Sequence, residues 1–377
     1  MILTDEQRLI RDTARAFARD VLAPGAEARA KAKAIEPEVL AQMGELGFLG
    51  MTVPEDLGGV GADYVAYALA LMEVAAGDGA VSTVMSVHNA PFNAILQRFG
   101  SPDQQARVLR PAAEGAFIGA FALTEPQAGS DAAAIRTRAR RQGAGYVIDG
   151  EKVFITSGAI AGWAILFARM EGASGKDGIT AFLTPTDAPG YVVTRVEDKL
   201  GQDASDTAAL RFDGLEIPED LRIGEEGAGY RIALSSLETG RIGIAAQAVG
   251  MAQAALDIAL AYAQQRQSFG KPLVAHQAVG FRLADARTKL EAARQLVLNA
   301  ARLKDAGIPC LTEAAMAKLY ASEAAESICS DAIQTLGGYG YTADYPLGRI
   351  WRDVRVCQIY EGTSDIQKLL ILRGMTA

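Results

Sequence analysis

The chain reads as an α+β protein in three parts. They are an N-terminal helical domain over 1–115, a central antiparallel β domain (barrel or sandwich) over 116–226, and a C-terminal antiparallel helical bundle over 227–377. Three observations predict this. Apolar residues recur at helical spacing as far as about residue 115. Six short β-branched or aromatic runs separated by turn residues then extend to Pro218. Helical spacing returns after the glycine-rich GEEGAG at 224–229 and persists to the end.

In order, Thr4 is placed to cap a first helix with Gln7 as its capping-box partner, and Ile10, Ala14, Phe17 and Val21 form the apolar face. Val39, Met43 and Leu46 repeat the pattern until Gly47 stops it. PEDLGGVGAD at 54–63 is a loop, and an apolar helix follows from about Tyr64 to Ala76. Ser101, Pro102 and Gln104 mark another helix start. The strand-like runs are FIGAFAL, GYVIDGEKVFIT, WAILFARM, GITAFLTP, GYVVTRV and TAALRFDGLEIP, with Asp149-Gly150 carrying the chemistry of a tight hairpin turn. Long helices are expected at 230–266, 273–305 and 312–336, and shorter ones near 346–357 and 364–373; their alanine-rich faces allow close approach.

Half of the 377 residues are apolar, enough for a large core, which excludes a disordered chain. The net charge of −8 is interspersed, so no footprint for nucleic acid or an anionic membrane is expected. Cys310, Cys329 and Cys357 lie too far apart for metal-ligand spacing, and neither His88 nor His276 stands by a nucleophile elbow. The N-terminal residues lack the zones of a signal peptide, so a cytoplasmic, reducing environment is expected. The apolar stretch 242–261 is interrupted by Gln247, Gln253 and Asp257 and reads as too polar to span a membrane.

Four motifs carry chemistry. In IYEGTSDIQ at 359–367, Ile359 and Tyr360 deliver Glu361 to a sharp bend at Gly362, and Thr363 and Ser364 offer caps to the next helix. A carboxylate desolvated on such a bend has a raised pKa and can serve as a base; a surface glutamate before a helix N-terminus is the other reading. TEPQAGSD at 124–131 supplies the hydroxyls of Thr124 and Ser130 and a free backbone at Gly129, suited to an anion or to a plain strand exit. RQSFG at 266–270 puts Arg266 at a helix C-terminus, where the dipole favours it in any protein, beside Phe269. QTLGGYGY at 334–341 formally matches a dinucleotide fingerprint, but it follows helical rather than strand spacing, so its glycines end a helix.

These motifs, in this order and with FITSG at 154–158, resemble the acyl-CoA dehydrogenase family of flavoproteins over essentially the whole chain. The resemblance implies FAD between the β domain and the bundle, with Phe121, Leu123 and Thr124 on one side of the flavin and Phe154 and Thr156 on the other. Ser130 would lie near the pyrophosphate and the substrate, and Thr363 and Asp365 would close over the cofactor. A neighbouring subunit of a homotetramer would contribute Arg266, Phe269, Gln277, Gln334 and Gly338. Glu361 would take the α-proton of an acyl-CoA while a hydride leaves the β-carbon for flavin N5. The product would be the trans-2-enoyl-CoA of β-oxidation chemistry, with electrons passed to an electron-transfer flavoprotein. Gly362 would leave room for the thioester, Tyr360 would line the acyl pocket, and Glu238 and Arg241 would contact substrate groups. Some relatives carry the base just before the arginine matching Arg241; here that position is Gly240. SSLETGRIG at 235–243 is most similar to the short-chain, butyryl-CoA dehydrogenase-like branch, departing from it with Glu238 for the commoner Asp, and Asp203 stands where many relatives have a basic residue. Two other readings use the same fold: an acyl-CoA oxidase that passes electrons to oxygen, and a non-catalytic acyl-CoA-binding scaffold.

Overall fold

The computed structural model describes residues 2–376. The first helix, Asp5–Phe17, starts at the Thr4/Gln7 capping box, and Ser101 and Gln104 form the second box. The apolar helix Tyr64–Gly77 and its successor Gly79–Val87 are almost wholly buried. They pack against the 37-residue helix Gly229–Gln265, which also contacts Gln277–Asp305 and Leu311–Leu336. Leu347–Arg355 and Ser364–Thr376 complete the C-terminal part. The helices at both ends of the chain share one hydrophobic core, from Ala14 through Met85 to Cys357.

Length and composition alone would let Gly229–Gln265 cross a membrane, so the polar interruptions are weaker than the sequence reading held. Within the protein, 67% of its most apolar window is buried. Its apolar character therefore answers to burial against neighbouring helices.

The central sheet contains β1 (Gly119–Ala122), β2 (Arg138–Gln142), β3 (Gly145–Thr156), β4 (Trp163–Met170), β5 (Ile179–Pro185), β6 (Tyr191–Val196), β7 (Thr207–Pro218) and β8 (Arg222–Ile223). Their order is β6-β7-β3-β2-β4-β5-β8, with β1 also on β4. The sheet is open and mixed, which corrects the wholly antiparallel barrel or sandwich. β1 and β2 both run parallel to β4, at Gly119–Ala122 and at Arg138–Ala139. The chain leaves that edge after β1 and returns to it at β2, so residues 123–137 form an excursion from the sheet rather than a hairpin. A second core fills this domain and includes Phe92, Leu96 and Leu109 from the N-terminal helices.

Asp149-Gly150 is not a hairpin turn. It sits inside β3 at a bulge against β7, where the Asp149 carboxylate accepts from the Gly214 N–H at 2.7 Å. The β2–β3 reversal falls instead at Gly143–Ala144, with Gly143 at φ +57°.

Candidate active site

Between Leu347–Arg355 and Ser364–Thr376 the chain makes a bend in which Glu361 and Gly362 have φ of +54° and +90°. A left-handed glutamate costs about 1–3 kcal/mol, so its surroundings must hold it. The side-chain amide of Gln367 donates to the carbonyls of Glu361 (3.2 Å) and Gly362 (2.7 Å), and Lys318 Nζ donates to the same Gly362 carbonyl at 2.7 Å. Lys318 and Gln367 are both fully buried. The Thr363 hydroxyl accepts from the Ile366 N–H at 3.4 Å, whereas the Ser364 hydroxyl is sealed without a partner.

The Glu361 carboxylate faces the backbone of Gly229–Gln265 where that helix carries no side chain. A Cβ at Gly240 would lie 2.6 Å from Oε2. Oε2 is buried and has no hydrogen-bond partner. Burial raises the Glu361 pKa above the ordinary carboxylate value, against the opposing pull of the Arg241 and Lys318 charges. Arg241 is itself 5% exposed, and its Nε has no partner.

Glu361 borders a cleft of about 620 Å³ between the sheet and the C-terminal helices. Thr124, Ser130, Phe154, Thr156, Tyr360, Gly362 and Thr363 line the same cleft. Six non-glycine residues have positive φ among the described residues, and three of them (Phe154, Gln202, Glu361) line it; such clustering of backbone strain marks functional sites. Phe154 is 65% exposed, presenting an aromatic face to open space.

Other predicted residues sit elsewhere. Phe121 lies on β1 and packs its ring on Phe167 at 5.0 Å, and Leu123 is buried behind the cleft wall. Asp365 points outward, 93% exposed, 3.9 Å from Lys368 Nζ. Glu238 is directed to Lys304 (2.9 Å) and the Cys310 N–H, away from the Glu361 cleft. Two residues from Gly240 is about 200° around a helix, which accounts for the different direction. Arg266, Gln334 and Gly338 line a second, open cleft of about 600 Å³. Nearby, Phe269 is 96% exposed at φ +47°, and Gln277 begins the helix Gln277–Asp305 on the surface.

Several functional residues escaped the sequence reading. Thr83 and Gln202 line the cleft and hydrogen-bond to each other; Gln247 donates to Thr83 at 2.9 Å and accepts from the Tyr360 hydroxyl at 3.1 Å. The Glu125 carboxylate accepts from the N–H groups of Arg136 and Thr137 and from Lys152 Nζ at 2.8 Å, which fixes the excursion carrying Thr124 and Ser130. Burial alone would raise the Glu125 pKa, but Lys152 and these donors outweigh it and hold it below the ordinary value. Lys318 had a legible signal: a lone cation on the alanine-rich stripe of Ala314, Ala321 and Ala325.

The residues present fit a flat aromatic cofactor. The cleft has the volume of a cofactor site, with hydroxyls at Thr124, Ser130 and Thr156, an exposed ring at Phe154 and, at its border, the unpartnered buried carboxylate oxygen of Glu361.

Family models described as the acyl-CoA dehydrogenase N-terminal, middle and C-terminal domains match residues 4–116, 120–215 and 227–376. The human mitochondrial short-chain specific acyl-CoA dehydrogenase is 46% identical over 369 residues, covering 98% of this chain and 90% of that protein. The butyryl-CoA dehydrogenase structure from Megasphaera elsdenii superposes with a TM-score of 0.98 at 38% identity and full coverage of both chains. A Mycobacterium smegmatis glutaryl-CoA dehydrogenase in complex with FADH2 superposes at 0.94, with 34% identity, 99% of this chain and 95% of that one.

Proposed function

Since the chain belongs to the acyl-CoA dehydrogenase family, FAD-dependent oxidoreductases acting on acyl-CoA, we propose that it oxidises a short straight or branched acyl-CoA to the trans-2-enoyl-CoA with Glu361 as the base. The observation that carries this is the Glu361 carboxylate, buried with a free Oε2 at the cleft and given its room by Gly240. Thr124, Ser130, Phe154, Thr156 and Thr363 are the residues that would hold FAD. When bound, FAD supplies the acceptor for the hydride leaving the β-carbon.

Glu361 Oε2 accepts the α-proton, and its raised pKa makes it a stronger base than a solvated carboxylate. The bend turns the Glu361 N–H out of any helical ladder, free to donate to the thioester oxygen as negative charge grows there. Arg241 balances the charge of Glu361 before the proton arrives. A short acyl chain is supported by the names of the relatives. In this reading the electrons pass to an electron-transfer flavoprotein. The second cleft, with Arg266, Gln334 and Gly338, serves a neighbouring subunit's cofactor in a homotetramer, and the exposed Phe269 supports that arrangement.

The test is Glu361→Gln. The variant should retain FAD, yet its flavin should bleach with butyryl-CoA under anaerobic conditions at least ~10³-fold more slowly, in the range lost when a general base is removed. Bleaching within a few-fold of the wild-type rate would defeat the proposal.

A further inference from the structure

The helix Leu311–Leu336 lays an alanine-rich stripe against the core, and in the middle of it stands Lys318, 0% exposed. A buried ammonium carries a large desolvation cost unless it is paired. Among the described residues its Nζ is directed to a neutral acceptor, the Gly362 carbonyl at 2.7 Å. That carbonyl follows directly on Glu361 and belongs to the left-handed bend. A neutral packing residue would serve the stripe better, so retaining a cation here points to a use.

We propose that Lys318 is a positioning residue for proton abstraction: it grips the Gly362 carbonyl to hold the strained Glu361–Gly362 bend, and its charge favours the ionised form of the neighbouring carboxylate. The inference rests on Glu361 being the base.

Gln367, the second donor to the same carbonyl, carries no charge, so the two grips are separable: both residues position the bend, but Lys318 alone alters its electrostatics. The charged and titratable groups around Glu361 come from four directions. Arg241 lies on Gly229–Gln265, Lys318 on Leu311–Leu336 and Tyr67 on Tyr64–Gly77, while Tyr360 and Cys357 belong to its own segment. Among the described residues, Arg241 and Lys318 are the positive charges that act on the buried carboxylate, while Arg352 and Arg355 line the same cleft. Burial draws the Lys318 pKa down to about 8, which leaves it mostly protonated near neutral pH.

The test uses FAD-loaded enzyme and anaerobic bleaching with butyryl-CoA across a pH series. Lys318→Met should lower the limiting rate at least tenfold, leave the half-saturating butyryl-CoA concentration within about twofold, and move the midpoint of the pH profile upward. Gln367→Met should lower the rate with its pH midpoint unmoved. Thermal midpoints supply a readout independent of turnover. Lys318→Met should cost a different amount in the Glu361→Gln background than in the wild type, whereas a purely structural lysine would cost the same in both.

Wild-type rate and pH midpoint in FAD-loaded Lys318→Met would overturn the proposal while leaving an inactive Glu361→Gln, and so the assigned function, intact. An active Glu361→Gln would sink both. Should Lys318→Met fail to fold, Lys318→Gln, which keeps a donor for the Gly362 carbonyl without the charge, decides: a wild-type rate and pH midpoint there refute the role of the charge.

Discussion

A methyl group on residue 240 would sit 2.6 Å from Glu361 Oε2 and 2.9 Å from its Cδ. Alanine is otherwise the better helix former by about 1 kcal/mol. Gly240→Ala is therefore expected to fold and bind FAD, yet to lose at least tenfold in the rate of flavin bleaching, because the carboxylate must swing aside. Stopped-flow bleaching against FAD content checks this. The same carboxylate makes stability depend on pH. Its folded pKa is raised, so the folded state favours the protonated form, and that stabilisation is present below the ordinary carboxylate range and lost as pH rises through the raised value. Glu361→Gln should thus have a higher thermal midpoint than the wild type, with the gap wider at about pH 8 than at about pH 5. An equal gap at both would contradict the burial argument.

One cleft wall depends on a glycine fitted against a helix. A Cβ on Gly201 would come within 2.4 Å of the Arg352 carbonyl carbon. The next residue donates its N–H to the Asp353 carboxylate, which also accepts from Arg349 at 3.2 Å. Burial pushes Asp353 up to about 6, so this junction holds its charge at a cost and relies on close packing. Gly201→Ala should force the segment off the helix Leu347–Arg355, destabilise by about 1–3 kcal/mol and weaken FAD retention together. Chemical denaturation and flavin release measure the two. Neither this junction nor the Asp149-Gly150 bulge is legible locally: Gly201 looks like any loop glycine, and Asp-Gly has turn chemistry wherever it occurs. What distinguishes them is a partner distant in the chain, Arg352 in one case and β7 in the other.

Taken as a whole, the chain reads as three segments but packs as two cores, because the helices at its two ends merge around Gly229–Gln265. The Glu361 cleft lies where the β core meets this helical one, so one wall comes from the middle of the sequence and the other from its last thirty residues. Phe269, exposed at φ +47°, pairs a strained backbone with a solvated ring, a combination that gains most from a covering surface. If the proposed homotetramer forms through this ring, Phe269→Asp should give a smaller species on size exclusion with light scattering and lower FAD content in parallel. A full-sized, FAD-replete variant would show that this ring does not serve the interface.

From residue order alone came the helix–sheet–helix progression, both capping boxes, the end of a helix at Gly337, and Glu361 as the residue to watch. All of these depend on neighbours a few positions apart, where periodicity and capping chemistry act. Only the tertiary structure decided the parallel pairing of β1 and β2 with β4, the turning of Glu238 toward Lys304, and the enclosure of Glu361 by Gly240, Arg241 and Lys318. The physical reason is range. Strand register and burial of a charge are settled here by contacts between residues 31 to 121 positions apart, about which a local pattern carries no information.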